Sequence, residues 1–328
     1  MLEQTNTDII VVGSLNMDLV VTTARLPSAG ETVAGYTFKT FGGGKGFNQA
    51  MAASRAGAST VMIGKLGQDD FGNELEAALQ QENIIATHVT RCPDPKISTG
   101  IAVITVDRAG RNSIVVVPGT NFELNETDID VAAQIFQKAK ILLLQLEVPL
   151  TVCQHAAQIA RQYGLKVMLT PAPVPATPLP ATLLANLDWL ILNETEVRQL
   201  ADLHCPPLPS DLDETEVARQ LLQTTGLASI IVTLGERGAV WVTSERTEFS
   251  PAFQVMTVDT TAAGDTFAGA LAAALAQNSP PVAALRFANA AAALSVTLAG
   301  AATSIPAAPA IKAFLEASLS TNSRNMPQ

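Results

Sequence analysis

Four short apolar runs determine the fold of this chain: ILLL at 141–144, KVML at 166–169, WLIL at 189–192 and SIIVT at 229–233. Segments with helical periodicity separate these runs, so strands and helices alternate. Because parallel strands are joined by crossovers that are usually helical, this alternation predicts a parallel sheet covered by helices on both faces. The β-branched run IIVV at 9–12 suits a further buried strand. We therefore predict an α/β fold with a central, mostly parallel, Rossmann-like sheet.

Two pairs of segments with alternating polarity do not fit that sheet. The first pair is 19–23 with 32–41, and the second is 100–106 with 113–117. Alternation is typical of half-exposed antiparallel strands. We assign the segments 19–41 and 100–117 to a small β-sheet lid. The rest of 1–320 is expected to be a single α/β domain, followed by a flexible tail at 321–328.

The composition is that of a compact globular protein. The chain has 328 residues, 48% of them hydrophobic and 15% charged, and a formal net charge of −10, which argues against a nucleic-acid-binding surface. The cysteines Cys92, Cys153 and Cys205 lie far apart and form no CxxC pair, as expected of reduced thiols. The polar first residues lack the basic region of a secretory signal, and Arg286 and Asn289 interrupt the Ala-rich C-terminal stretch. We therefore expect a cytoplasmic protein without a membrane span.

The stretch DTTAAGDTF at 259–267 carries the clearest chemical signal. It follows a strand-like approach at 253–258 and opens a helical run at 266–276. Small residues at such a turn (Ala262, Ala263 and Gly264) let backbone N–H groups converge on an anion at a helix N-terminus. Asp265 lies on the same turn, where a carboxylate can act as general base toward a hydroxyl. This combination indicates phosphoryl transfer to an alcohol, whereas the alternative is an ordinary turn whose Asp caps a helix.

Two glycine-containing turns offer polar groups for a small polyol. In GSLNMD at 13–18, Asn16 and Asp18 follow the first strand and could bridge vicinal hydroxyls; turn formation explains them equally well. In GGGKGFN at 42–48, Lys45 and Asn48 could contact hydroxyls, and a structural glycine turn is the alternative. This loop has neither Walker A nor Rossmann glycine spacing.

Two further strand ends are candidates for nucleotide contacts. NETE at 193–196 could organise Mg²⁺ through water beside phosphates, although Asn193 and Glu196 also form a capping-box pattern, and both roles can hold at once. TLGERG at 233–238 could admit a nucleotide, with Thr233 or Arg237 touching phosphate; in isolation, a plain hairpin turn explains it better.

Taken in order, these motifs resemble the ribokinase-like family of sugar and nucleoside kinases. The resemblance extends from about 9 to about 306. It also includes QLEVP at 145–149 and PAP at 171–173. It implies a ribokinase-like α/β fold and ATP-dependent phosphorylation of the 5-hydroxyl of D-ribose.

The resemblance also implies a role for each matching residue. Asp265 matches the catalytic base, and Ala262, Ala263 and Gly264 match the anion hole. The sugar contacts would be Asn16, Asp18, Gly44, Lys45, Asn48, Glu147 and Asp265. The ATP contacts would be Asn193, Thr233, Leu234, Gly235, Glu236, Arg237, Gly238, Gly264 and Asn289. A monovalent cation, usually K⁺, would lie near Asp259, Thr261, Ser295, Leu298, Gly300 and Ser304, and Glu196 would hold Mg²⁺ through water. Paired lids would form a homodimer.

Other functions remain as alternatives at this stage. One is a kinase of the same fold acting on fructose, a ketogluconate or a nucleoside. A Rossmann oxidoreductase is disfavoured by the missing GxGxxG, and a non-catalytic sugar sensor by the retained Asp265. The chain departs from the family at Phe47, which could narrow the sugar pocket or pack inward, and at Thr170, where Asn is usual.

Overall fold

The fold is described from a computed structural model that covers residues 7–324, with side chains described for 7–319. Its strands are β1 (Ile9–Val12), β2 (Asn16–Thr23), β3 (Gly35–Gly43), β4 (Thr60–Leu66), β5 (Ile85–Arg91), β6 (Gly100–Val106), β7 (Asn112–Val117), β8 (Ile141–Gln145), β9 (Lys166–Thr170), β10 (Trp189–Asn193), β11 (Ser229–Thr233), β12 (Gly238–Thr243) and β13 (Thr247–Pro251). Its helices are α1 (Lys45–Arg55), α2 (Asp70–Gln81), α3 (Glu126–Phe136), α4 (Leu150–Gln162), α5 (Ala181–Leu184), α6 (Glu194–His204), α7 (Glu214–Thr225), α8 (Ala263–Ala276), α9 (Pro281–Ser295) and α10 (Ala308–Arg324).

A nine-stranded sheet forms the centre of the molecule, in the order β13-β12-β11-β10-β9-β8-β1-β4-β5. The strands from β11 to β5 pair in parallel, and the hairpin β12–β13 is added antiparallel at one edge. The predicted α/β fold with a mostly parallel sheet is therefore confirmed. The sequence patterns missed β5, β12 and β13.

Both faces of this sheet are buried, which explains its apolar runs. Successive residues of β1 alternate between two cores: Ile9 and Val11 face α1, α2, α8, α9 and α10, whereas Ile10 and Val12 face α3 to α7. All four side chains have 0% exposure. Burying a side chain of this size stabilises a fold by about 1.5–3 kcal/mol. The central strand thus joins the two helical layers.

Helices α1 and α8 approach each other unusually closely. A Cβ atom added at Gly269 would lie 2.6 Å from the Ala52 Cβ and 2.6 Å from the Gln49 carbonyl oxygen. Only glycine therefore fits at this contact without displacing α1. The contact brings the N-termini of both helices to the carboxyl end of the sheet, where ligands of α/β proteins collect.

A separate four-stranded sheet, in the order β3-β2-β6-β7, contains the residues assigned to the lid. The pairs β2–β3 and β6–β7 are antiparallel, as predicted, and the two hairpins are joined by a parallel pairing of β2 with β6. Phe38, Val103 and Val115 lie on one face of this sheet by their strand register, and all three are exposed. That face is therefore apolar and uncovered in the single chain.

One predicted element is wrong, and another is only partly covered by the described residues. Residues 253–258, read as a strand-like approach, have no regular secondary structure, because β13 already ends the sheet and the Val258 N–H donates to the Val296 carbonyl at the end of α9. The predicted tail at 321–328 overlaps the last residues of α10, and 325–328 lie outside the described residues. The proposed division into a domain with a lid remains a prediction. Within 7–324, no helix is both long and apolar enough to traverse a bilayer.

Candidate active site

Asp265 lies in the first turn of α8 with only 8% of its surface exposed. Both carboxylate oxygens accept hydrogen bonds from α1: Asn48 Nδ2 donates to Oδ2 at 3.1 Å, and Gln49 Nε2 donates to Oδ1 at 3.0 Å. The carboxylate is therefore held in a single orientation by two neighbouring side chains.

The ionisation of Asp265 depends on these neighbours. Burial raises the pKa of Asp265, whereas the Lys45 ammonium and the amides of Gln49 and Asn48 lower it, and the net shift is upward. A helix N-terminus favours the charged form of a carboxylate, but burial outweighs the groups that favour ionisation here. The negative charge that a general base needs is supported mainly by Lys45 and by the two amides.

The amide groups of the turn are arranged for an anion. Ala262 adopts a left-handed conformation (φ 59°) as the N-cap of α8 and provides no side-chain cap. The Ala263 N–H already donates to the Thr260 carbonyl at 3.2 Å, so the Gly264 and Asp265 amides are the first-turn donors for which a helix supplies no acceptor. A Cβ at Gly264 would meet no atom within 4 Å, so this turn faces open space.

Helix α1 also lacks an N-cap side chain, in contrast to four other helices. Gly44, its N-cap, has φ 88° and offers no side chain, whereas the N-cap side chains of α2, α3, α6 and α7 accept backbone hydrogen bonds. The first-turn N–H groups of α1 have other acceptors, since the Lys45 N–H donates to Glu147 Oε2 and the Gly46 and Phe47 N–H groups donate to Ser14. The amides that can bind an anion here are therefore those of α8, and α1 contributes only its helix dipole.

Three carboxylates surround Lys45. The charge of Asp265 raises the pKa of Lys45. Burial opposes this shift, and the charges of Glu147 and Glu196 add to it. Burial, followed by Glu147 and Asp265, raises the pKa of Asp18 to about 7. Glu147 Oε2 accepts from Ser14 Oγ at 2.5 Å and from the Lys45 backbone N–H at 2.9 Å. Such a cluster of buried and partly buried charges is typical of a functional site.

Two glycines make room for the polar side chains of β2. A Cβ at Gly43 would lie 2.3 Å from Asp18 Oδ2, and a Cβ at Gly100 would lie 2.2 Å from Asn16 Oδ1. Asn16 Oδ1 also accepts from Asn121 Nδ2 at 2.7 Å. Sequence reasoning missed Asn121, which lies in a short 3₁₀ turn after the small sheet and matches none of the motifs.

A groove of about 480 Å³ begins at Gly264 and runs along α9. Its walls are largely apolar and include Phe253, Val255 and Phe267. The predicted nucleotide contacts that line it are Thr233, Gly235, Glu236, Gly238, Gly264 and Asn289. The other three do not line it: Leu234 is buried, Arg237 forms ion pairs with Glu194 and Glu214, and Asn193 is the N-cap of α6.

Asn193 and Glu196 form the predicted capping box at the start of α6. Asn193 Oδ1 accepts from the Glu196 N–H at 2.8 Å, and Glu196 Oε2 accepts from the Asn193 N–H at 2.9 Å. Glu196 also contributes to the raised pKa of Lys45, so its charge acts at the carboxylate cluster. Its carboxylate suits a hard cation such as Mg²⁺ approached through water. No group of three or more His, Cys, Asp or Glu side chains able to bind a metal directly occurs within 7–319.

Asp259 links the turn before α8 to the loop after α9. Its Oδ1 accepts from the Thr261 N–H and hydroxyl at 2.9 and 2.6 Å, and its Oδ2 accepts from the Gly300 N–H at 2.9 Å. Burial raises the pKa of Asp259, but these hydrogen bonds lower it by more, so the pKa lies below its usual range. The carboxylate is therefore ionised and retains lone pairs, as an oxygen-only cation site requires.

The other predicted cation ligands lie in the same loop region. The side chains of Ser295 and Ser304 donate to backbone carbonyls of their own turns, so any contribution to a cation would come through other lone pairs or through the backbone. Leu298 is exposed and has only its backbone carbonyl to offer.

The structure also places the two departures from the family pattern. Phe47 is 1% exposed and packs in the core, where a Cβ at Gly42 would lie 2.9 Å from its ring. It therefore packs inward. Thr170 Oγ1 accepts from Gln49 Nε2 at 3.4 Å, next to the base.

Comparison with known proteins identifies the family. The model of the pfkB family carbohydrate kinases matches residues 6–308. The chain belongs to the pfkB family of carbohydrate kinases. The predicted sugar kinase is thereby confirmed, and the oxidoreductase alternative falls away.

Similar proteins of this family include two kinases of different sugars. The chain is 37% identical over 309 residues to the deoxyribokinase of Salmonella typhi. The alignment covers 94% of this chain and 98% of that protein. It is also 37% identical over 306 residues to the ribokinase of Haemophilus influenzae, covering 93% and 97%. Among solved structures, Arabidopsis thaliana ribokinase complexed with ribose and ATP superimposes with a TM-score of 0.87 at 31% identity, covering 95% of this chain and 99% of that chain.

Proposed function

We propose that this pfkB-family kinase transfers the γ-phosphoryl group of ATP to the 5-hydroxyl of D-ribose. The observation that carries the proposal is the position of Asp265. Its carboxylate is buried between the cluster of Lys45, Glu147 and Asp18 and the Gly264 end of the groove. A base at that junction can reach both a sugar hydroxyl and a terminal phosphate.

In this mechanism, the acceptor sugar binds on the side of Asn16 and Asp18, and ATP lies in the groove. Asp265 accepts the proton of the attacking hydroxyl. The Gly264 and Asp265 amides donate to the transferred phosphoryl oxygens, where negative charge is concentrated. Because phosphoryl transfer proceeds through a loose transition state, positioning and electrostatic stabilisation account for most of the catalysis.

Two cations complete the proposed site. Mg²⁺ held through water by Glu196 would neutralise charge on the phosphates. K⁺ near Asp259 would shape the turn that supplies the anion-hole amides, with Thr261, Ser295, Leu298, Gly300 and Ser304 as the neighbouring oxygen donors.

The choice of ribose rests on the polar character of the acceptor site. Asn16, Asp18 and Lys45 offer donors and acceptors to a small, hydroxyl-rich sugar, and the apolar surface a nucleoside base needs is found in the groove instead. The similarity to a deoxyribokinase favours a second candidate, 2-deoxy-D-ribose, which has one hydroxyl fewer.

We further propose that the chain forms a homodimer in which the apolar face of the small sheet is covered. We also propose a cytoplasmic location, which suits the three free cysteines.

The decisive experiment is a coupled assay of ADP release with D-ribose, 2-deoxy-D-ribose, D-fructose, a ketogluconate and a nucleoside. We expect the highest kcat/KM with D-ribose. A higher value with 2-deoxy-D-ribose would assign that sugar instead. Turnover of the nucleoside alone would refute the proposed acceptor class.

A further inference from the structure

Gln49 connects the proposed base to the interior of the sheet. Its Nε2 donates to Asp265 Oδ1 at 3.0 Å, and its Oε1 accepts from Gln145 Nε2 at 2.6 Å. Both glutamines have 0% exposure. A continuous chain of hydrogen bonds therefore leads from the end of β8 through α1 to α8.

The direction of this chain is determined by chemistry. A glutamine amide has a donor end and an acceptor end. If Gln49 were reversed, its Oε1 would face the Asp265 carboxylate and its NH₂ would face the NH₂ of Gln145. The ionised Asp265 carboxylate, which only accepts, and the Gln145 NH₂, which donates, therefore favour the same orientation of Gln49.

Gln145 makes this contact without being fully satisfied itself. The buried side-chain atoms without a hydrogen-bond partner within 7–319 are Asn48 Oδ1, Gln145 Oε1 and Thr266 Oγ1. Each belongs to the network or is adjacent to Asp265. A network that served stability alone would be expected to satisfy its polar atoms. A Cβ at Gly13 would lie 2.0 Å from Gln145 Oε1, so the neighbouring backbone is also adapted to this side chain.

We infer that Gln145 and Gln49 form a positioning relay for Asp265, in which Gln145 orients the Gln49 amide and Gln49 holds Oδ1 and favours the ionised carboxylate. This inference rests on the proposed function, in which Asp265 is the base. Neither glutamine is a catalytic residue, since both act through Asp265.

Burial and several charged groups act on the same carboxylate as Gln49. Lys45 of α1 favours the ionised form, while Glu147, which follows β8, and Asp18 of β2 oppose it, together with burial. The Gln49 amide is one of two neutral donors that counter burial. Loss of a hydrogen bond to a charged group should therefore raise the Asp265 pKa by about one to two units.

The test compares Gln49→Met, Gln145→Met and the double variant with the unaltered chain. The Asp265 pKa is measured by ¹³C NMR of labelled aspartate carboxyl groups, and the Asp265→Asn spectrum assigns the resonance. We expect a rise of about one to two units in Gln49→Met, a smaller rise in Gln145→Met, and no further rise in the double variant. Gln154→Met removes an exposed hydrogen bond to Thr182 and should leave the pKa unchanged.

Denaturant unfolding separates positioning from a structural role. Gln49→Met leaves the Gln145 amide buried without its partner, whereas the double variant removes both polar groups and should regain stability. The relay predicts that stability recovers in the double variant while the Asp265 pKa stays raised. A pKa that returns toward its original value, additive shifts, or no shift in Gln49→Met would overturn it.

Kinetics distinguish failure of the relay from failure of the proposed function. If Asp265→Asn keeps a near-normal kcat, Asp265 is not the base, whatever the NMR shifts are. If Asp265 is the base, the acid limb of kcat should move upward with the measured pKa in Gln49→Met, with the KM for ATP unchanged. A uniform loss of kcat at every pH would contradict the relay.

Discussion

Asp18 allows a quantitative test of the charge cluster, because its ionisation opposes folding. The side chain is 8% exposed, and burial, Glu147 and Asp265 raise its pKa from 3.8 to about 7. Between these two values, the unfolded chain has released the proton that the folded protein still binds. The stability contribution of Asp18 is therefore fully present below pH 3.8 and is lost as the pH rises to about 7. A difference of about three units corresponds to roughly 4 kcal/mol at most.

Asp18→Asn cannot ionise and should escape this loss. In the absence of sugar, we expect its free energy of unfolding to exceed that of the unaltered chain by about 2–4 kcal/mol at pH 8, and by clearly less at pH 5. Urea unfolding at both pH values measures the difference. The same substitution at Asp69 is the matched control. Burial raises the pKa of Asp69, but hydrogen bonds from Thr99 and Gly72 lower it by more. Asp69→Asn should therefore destabilise the folded protein at pH 8. An Asp18→Asn variant that is less stable at pH 8, or equally affected at both pH values, would refute the reasoning.

Four further outcomes are expected. Asp265→Asn should lower kcat by at least about 10²–10⁴-fold in the ADP-release assay, and a near-normal kcat would exclude this residue as the base. Gly43→Ala would place a Cβ 2.3 Å from Asp18 Oδ2 and displace this carboxylate. The KM for the sugar should therefore rise by about tenfold or more, while the KM for ATP stays constant. An unchanged sugar KM would contradict the role of Asp18. Replacing K⁺ with tetramethylammonium at equal ionic strength should reduce activity, and indifference would remove the proposed cation. Val115→Asp should convert the proposed dimer to a monomer in light scattering at micromolar concentration, whereas the same change at Ile114, on the opposite face of β7, should not. A monomeric unaltered chain would exclude the dimer.

The main sheet could be predicted from the sequence because its strands are buried on both faces. Short, uniformly apolar runs such as 9–12 and 141–144 are typical of such strands. The strand β5 was missed because it is an edge strand with mixed burial, reading IATHVTR. The segment 253–258 was misread as a strand for the converse reason: it has apolar residues, but they line a groove or are exposed, as is Met256.

Asp265, Lys45 and Asn48 could be proposed from the sequence because each lies in the first turn of a helix that follows a stretch of small residues. Gln49, Gln145 and their hydrogen bonds could not, because the contacts join residues that are far apart in the chain. One signal was available for Gln145, since a polar residue ends the otherwise apolar run ILLLQ. The raised pKa values depend on burial and on neighbouring charges, which exist only once the chain has folded.

The absence of a side chain at position 269 has a consequence beyond helix packing. The close contact it permits lies one helical turn from Asp265 and involves the backbone of Gln49 itself. The separation of the two helix N-termini, and hence the local electrostatic potential where they converge, therefore depends on the smallest residue in the interface. A single methyl group at this position would act on the chemistry without touching any ligand, by moving two dipoles apart. Residues that carry no charge can in this way set the field experienced by those that do.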